Sequence, residues 1–155
     1  MITAWRICKP KWARSAFDGR GAAEAPGRWN NFGTSLIYTA ESRSLASLEV
    51  LVHAEDTSLL SAMSMVAIPI SFSETLLETP TKFPPDWRDL PAPSSTRAFG
   101  DAWTDSVRSA ILRVPSGVTL GEFNYLLNPN HPDFSRIHLG QPEPFCFDGR
   151  VPKAG

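Results

Sequence analysis

The sequence predicts an α+β fold, in which short strands are interleaved with two helices and long loops. Two segments have the apolar spacing of amphipathic helices, whereas the strand-like segments are short and are separated by glycine, proline and asparagine. Proline is abundant, with 14 residues among 155. Five of the prolines fall between Pro80 and Pro93, so that stretch excludes a helix interior or a central strand.

The first helix is predicted from about Ser42 to His53, with Thr39 or Ser42 as its N-cap. Its apolar residues recur at helical spacing and form one stripe. They are Leu45, Leu48, Leu51 and Val52.

The second helix is predicted to follow Ser94 and Ser95, which are both good N-cap residues. Apolar residues recur at helical spacing from Phe99 to Ile111, and Pro115 sets a limit that the helix should not pass. Upstream, the proline-rich stretch is predicted to be an ordered loop inside one domain, pinned by Trp87, because each flank is too small for an independent core.

The predicted strands are short, and most are bounded by turn-forming residues. They are a first strand around Trp5 and Arg6, then Ser35 to Thr39, Met63 to Ile70, Val118 to Leu120, Arg136 to Leu139 and Pro144 to Phe147. Their order in the sheet does not follow from the sequence.

Composition fits one globular domain spanning residues 1–155, with 42% apolar and 20% charged residues. The net charge of -1 argues against a domain held to nucleic acid by its overall charge. Two cysteines and three histidines lack the spacing of a metal site, so no metal is predicted. With no apolar leader and no membrane-length apolar stretch, the chain is expected to be cytoplasmic.

Glu49 lies at the edge of the apolar stripe of the first helix, where a carboxylate is costly unless a cation or hydrogen-bond donors meet it. A salt-bridged or snorkelling glutamate is the ordinary interpretation, and a functional carboxylate is the other. Arg28, in the loop APGRWNNFGTS, is either a phosphate-gripping guanidinium or a surface arginine stacked on Trp29. Arg6 permits the same two interpretations.

Tyr38 and Ser116 have ordinary structural interpretations as well. Tyr38, near the end of its predicted strand, fits a half-buried strand tyrosine. Ser116, in VPSGV, fits a turn serine, and no histidine–aspartate arrangement supports it as a nucleophile.

Taken together and in order, these residues resemble a known family. The segments that carry the resemblance are WRI at 5–7, GRWNNFGTSLIYTAES at 27–42, SLASLEVLVH at 44–53 and VPSGVTLGEFNYLLNPNHPDFSRI at 114–137. They are similar to the RES domain, which is named for an arginine, a glutamate and a serine. Arg28, Glu49 and Ser116 match those three residues.

The resemblance implies a fold similar to ADP-ribosyltransferases, with a split mixed β core and flanking helices. It also implies a toxin of a bacterial toxin–antitoxin pair, silenced by an Xre-like antitoxin, that causes growth arrest by destroying NAD+. The enzyme would cleave the nicotinamide–ribose bond as a glycohydrolase or a phosphorylase. NAD+ would be a substrate, inorganic phosphate a co-substrate in the second case, and no cofactor would be needed.

Under the resemblance, four residues are expected to be catalytic: Arg28, Tyr38, Glu49 and Ser116. Substrate binding is expected from Arg6, Arg28, Tyr38 and Ser116. Guanidinium groups suit the pyrophosphate, and Glu49 suits the charge that develops on ribose. Tyr38 would stack on nicotinamide or donate its hydroxyl, and Ser116 would bind the ribose or hold Glu49.

Two other classes remain open at this point. One is a protein ADP-ribosyltransferase, since the fold is shared. The other is an inactive module that only binds an antitoxin-like partner, although retention of the residue set speaks against it. Neither nucleic acid nor a membrane is expected as a direct partner, and the sequence is compatible with a homodimer.

Overall fold

The computed structural model describes residues 1–151 and confirms the predicted α+β class. The strands are β1 (Ile2–Cys8), β2 (Ile37–Ala40), β3 (Met65–Phe72), β4 (Leu77–Glu78), β5 (Ile111–Pro115), β6 (Phe123–Leu127), β7 (His138–Leu139) and β8 (Glu143–Phe145). The α-helices are α1 (Arg20–Glu24), α2 (Arg43–His53) and α3 (Ser94–Ser106). Within the described range, no helix is both long and apolar enough to cross a membrane.

The strands form one mixed sheet in the order β4-β5-β6-β2-β1-β3-β7, with β8 also paired to β3. Only the β4–β5 pair is parallel among the pairs of this sheet. At its centre, β1 pairs with β3 along its whole length, but it meets β2 in a single register pair, Trp5 with Ala40. The sheet is therefore nearly split between β1 and β2, and a cleft opens there.

Helix α2 confirms the first helix prediction. Ser42 is the N-cap, and its Oγ accepts a hydrogen bond from the backbone N of Leu45 at 3.0 Å. The predicted stripe is only partly buried, because α2 packs on β1 and β2 from one side. Leu45 and Ala46 face that side, whereas Leu48 and Val52 are exposed.

Helix α3 departs from the prediction at both ends. Ser94 and Ser95 lie inside its first turn and do not cap it, since the N-cap is Pro93. The helix ends at Ser106, where Val107 adopts a left-handed conformation with φ 53°. Ile111 begins β5 instead, because a short apolar run satisfies the helix and strand periods alike.

The strand predictions hold for five of the six segments within about two residues, and fail for the other. Residues 118–120 form a turn, because the Oγ of Ser116 accepts hydrogen bonds from the backbone N–H groups of Val118 and Thr119. The strands that flank this turn, β5 and β6, were not predicted. The β6 segment FNYLL is followed directly by NPNHPDF. The turn-forming residues of that stretch hide the strand pattern in the sequence.

Trp29 anchors the packing of α3 on the sheet. It is 2% exposed and makes edge contacts with Phe83 and Phe99 at ring distances of 5.7 and 5.8 Å. Phe83 belongs to the proline-rich loop, and Trp87 packs against the same cluster. The loop is therefore docked onto the core, which confirms the prediction of an ordered loop pinned by Trp87.

Gly100 should be essential for this packing. A Cβ added there would lie 1.7 Å from the carbonyl oxygen of Trp29, so Gly100→Ala must push α3 off the sheet. We expect a loss of roughly 3 kcal/mol of unfolding free energy in urea denaturation. Gly21→Ala is the matched control, since nothing lies within 4 Å of its added methyl group. Equal stability of the two variants would contradict this account of the helix–sheet contact.

Candidate active site

A cleft of about 1540 Å³ opens where β1 and β2 separate. Its walls come from β1, β2, α2, the segment that leads into β2 and residues 90–92 of the proline-rich loop. Four of the five residues predicted for the site line it, namely Arg6, Arg28, Tyr38 and Glu49. The fifth, Ser116, does not line the cleft, although the next two residues do.

Glu49 projects from α2 with its side chain 27% exposed. Its Oε1 accepts a hydrogen bond from the Nδ2 of Asn124 at 3.3 Å, and its Oε2 lies 3.7 Å from the Nε2 of His53. The carboxylate thus combines partial burial, one neutral donor and one titratable neighbour. A carboxylate held in this way at the wall of the cleft can act on a positive charge that develops beside it.

Arg28 connects two loops across the cleft. Its Nη1 donates to the carbonyl oxygens of Trp87 and Asp89, both at 2.8 Å. The rest of the guanidinium lies close over Gly117, where an added Cβ would be 3.0 Å from Nε. Trp29 is buried in the core and does not lie beneath Arg28 as a surface stack.

The hydroxyl of Tyr38 is used in both directions by the protein itself. It donates to the Oδ1 of Asn30 at 2.7 Å and accepts from the backbone N of Trp29 at 2.9 Å. Burial raises the pKa of Tyr38 well above its usual value, so the phenol stays neutral. Gly27 lies so close to the ring that a Cβ would fall 2.8 Å from Cζ. The ring, which lines the cleft, is the part left for a ligand.

Arg6 lies at the point where β1 and β2 separate. Its Nη1 donates to the carbonyl oxygen of Tyr38 at 2.9 Å, which bridges the two strands beyond their single register pair. Burial lowers the pKa of Arg6 from its usual value. Its Nε is buried and has no hydrogen-bond partner among the described residues.

Ser116 is 1% exposed and shapes the turn behind the cleft wall. Its Oγ accepts from Val118 N at 3.1 Å and Thr119 N at 3.0 Å, and its own N–H donates to Glu122 O. These bonds place Gly117 under Arg28. Direct contact of Ser116 with a substrate stays a prediction.

Three residues near the site were missed by the sequence analysis. His53 follows Glu49 by one helical turn, a spacing that could have revealed it. Asn124 reaches Glu49 from β6, and Asn30 joins Gly27 to Tyr38 through its side chain. The contacts of Asn124 and Asn30 depend on strand pairing and loop conformation, which no local sequence pattern indicates. No three His, Cys, Asp or Glu side chains within residues 1–151 cluster as a metal site.

A family model described as the RES domain matches residues 3–148. Among similar proteins, Toxin Res of Yersinia enterocolitica serotype O:8 is 41% identical over 148 residues, covering 95% of this chain and 97% of that protein. The Prs ADP-ribosylating toxin of Sphingobium sp. (strain YBL2) is 35% identical over 152 residues, covering 95% and 94%.

The fold also resembles a solved structure. A chain in the crystal structure of the M. tuberculosis MbcT–MbcA toxin–antitoxin complex superimposes with a TM-score of 0.75 and 19% identity. The match covers 94% of this chain and 84% of that chain. At this identity the likeness concerns the fold alone, and it agrees with the predicted α+β class.

The two tyrosines of the chain provide a test of the Tyr38 network. Tyr38→Phe would leave the buried N–H of Trp29 and the Oδ1 of Asn30 without this partner. We expect a loss of about 1–3 kcal/mol in the free energy of unfolding, measured in urea. Tyr125→Phe is the control, because the Tyr125 hydroxyl forms no side-chain hydrogen bond with the described residues. A Tyr38 variant as stable as the Tyr125 variant would refute the structural role of the hydroxyl.

Proposed function

The chain belongs to the RES domain family, and we propose that it is the toxin of a toxin–antitoxin pair and degrades NAD+. The bond to be cleaved joins the nicotinamide nitrogen to the ribose. The observation that carries this proposal is the position of Glu49, a partly exposed carboxylate held by Asn124 in a cleft that also contains Arg6 and Arg28.

Cleavage releases neutral nicotinamide with the electron pair of the bond, and positive charge develops on the ribose. A fixed carboxylate beside that ribose stabilises the charge more in the transition state than in the ground state. If water is the acceptor, the products are ADP-ribose, nicotinamide and a proton. If inorganic phosphate is the acceptor, the product is the 1-phosphate of the ADP-ribosyl group.

The pyrophosphate of NAD+ would be bound by guanidinium groups. Arg6 supports this role through its position in the wall of the cleft, and Arg28 through the donors that are not committed to Trp87 and Asp89. Both groups are fixed by backbone carbonyls, so little side-chain entropy would be lost on binding. The ring of Tyr38 is available to pack against nicotinamide.

Protein ADP-ribosylation is the second candidate, favoured by the name of the 35%-identical Sphingobium relative. The same carboxylate would serve it, with a protein side chain as acceptor in place of water or phosphate. The two activities can be distinguished by incubating the protein with NAD+ alone. A transferase needs its target protein, whereas a glycohydrolase or phosphorylase does not.

An Xre-like antitoxin is the proposed partner, supported by the toxin–antitoxin complex whose chain shares the fold. The mouth of the cleft carries large exposed apolar side chains, with Trp12 at 54%, Phe32 at 77% and Leu90 at 85% exposure. A protein that covers these side chains would also exclude NAD+ from Glu49. Growth arrest would follow when the partner is lost.

Glu49→Ala should lower NAD+ cleavage by about 100-fold or more, because it removes the charge that stabilises the transition state. NAD+ loss and free nicotinamide would be measured by chromatography, with and without inorganic phosphate. Phosphate dependence would identify the acceptor. Glu55→Ala, at an exposed position just beyond α2, is the matched control and should retain activity. Absence of NAD+ loss in the folded wild-type protein would refute the proposed cleavage and leave the transferase or an inactive binding module.

The antitoxin proposal predicts a stable complex. When the tagged chain carries Glu49→Ala to spare the host and is expressed with its neighbouring gene, the product of that gene should co-purify. We expect the complex to survive high salt, because the exposed apolar side chains of Trp12, Phe32 and Leu90 at the cleft would be buried in it. Elution of the tagged chain alone at every salt concentration would contradict this proposal.

A further inference from the structure

His53 lies beside the proposed catalytic carboxylate but was assigned no role by the mechanism above. It is the last residue of α2, one turn after Glu49, and its Nε2 lies 3.7 Å from Glu49 Oε2. Both residues line the cleft, and the His53 side chain is 75% exposed. The imidazole can therefore exchange protons with solvent while it remains within charge-pairing distance of Glu49.

The charged surroundings of His53 come from three elements. Glu49 faces it from its own helix, and Arg28 acts on it from the loop before β2. From β1, on which α2 packs, Arg6 and Cys8 line the same cleft. The neighbouring carboxylate of Glu49 raises the pKa of His53, while partial burial and the charge of Arg28 oppose the rise. The protonated form therefore persists to a higher pH than in an isolated histidine.

We infer that His53 tunes the catalytic charge of Glu49, so that cleavage is slower while the imidazole is protonated and faster once it is neutral. This inference rests on the proposed NAD+ cleavage. The ribose becomes more positive as nicotinamide departs, and the full charge of Glu49 favours that change. An imidazolium 3.7 Å from Oε2 offsets part of the charge and competes with the ribose hydroxyls for the same oxygen.

The contact geometry favours this role over that of a clamp. The His53 side chain is mostly exposed, and 3.7 Å is long for a hydrogen bond, so the pair restrains Glu49 weakly. Asn124 already holds the other oxygen at 3.3 Å without adding charge. His53 is thus a tuning residue that acts through the charge of Glu49, and its effect should follow its own titration.

The direction in which the cleavage rate changes with pH follows from the two protonation states of His53. Because the pKa of His53 is raised, the imidazolium dominates at acidic pH and is lost as pH rises through that pKa. The wild-type rate should therefore rise with pH across this range. His53→Gln cannot be protonated, so it should abolish this rise and hold the rate near the alkaline wild-type level.

The experiment compares NAD+ cleavage by the full chain and by His53→Gln between about pH 5.5 and about pH 8.5. The variant should be about two- to fivefold faster at the acidic end and equal to the wild type at the alkaline end, as expected for one exposed pair. His138→Gln, an exposed histidine on β7 outside the cleft, is the matched control and should follow the wild-type profile.

NMR titration of the His53 ring adds a readout that does not depend on turnover. The pKa of His53 should fall in Glu49→Gln, because the carboxylate that raises it is gone. An unchanged pKa would overturn the pairing, and superimposable rate profiles of wild type and His53→Gln would overturn the tuning. If His53→Gln were slower at every pH, His53 would act by holding Glu49 in place, and the tuning inference would be overturned. If the wild type cleaves no NAD+ at any pH, the proposed function fails and the inference fails with it.

Discussion

The near-separation of β1 from β2 is the constraint on which the site depends. The two strands share one register pair, and Arg6 then donates across the widening gap to the carbonyl of Tyr38. A side chain thus satisfies a carbonyl at the position where a continuous antiparallel ladder would supply a backbone donor. Without that bond, the opening would expose an unpaired backbone group on a buried edge. A long cationic side chain therefore compensates for the missing ladder at the edge of the cleft.

The segment from Gly27 to Tyr38 converts this opening into a defined site. Asn30 is fully buried and binds both the N–H of Gly27 and the hydroxyl of Tyr38, so the loop folds back on the strand that follows it. Trp29, next to Arg28, is locked beneath α3. Arg28 is consequently held by its neighbours in sequence as well as by the carbonyls it binds. Packing energy of the core thus restricts the conformations of a guanidinium in the cleft.

Features that depend on neighbouring residues, such as helix caps and apolar spacing, could be predicted from the sequence. Helix α2 was predictable because Ser42 caps it and its leucines repeat at helical spacing. The end of α3 was not, because Ala110 and Ile111 continue the helical period while the left-handed turn at Val107 breaks the helix. The same limit applies to the site. Glu49 and Arg28 could be singled out by residue type and position, whereas the contact of Asn124 with Glu49 spans 75 residues and depends on strand order.

The two oxygens of Glu49 have unlike neighbours, and the difference has a chemical consequence. Asn124 is mostly buried and neutral, so it fixes the orientation of one oxygen without reducing the charge of the carboxylate. His53 is exposed and titratable, so it can change that charge without determining the orientation. A cationic donor in the buried position would have fixed the geometry but cancelled the charge that acts on the ribose. Orientation and charge of one carboxylate are therefore controlled by separate residues, one from β6 and one from α2 itself.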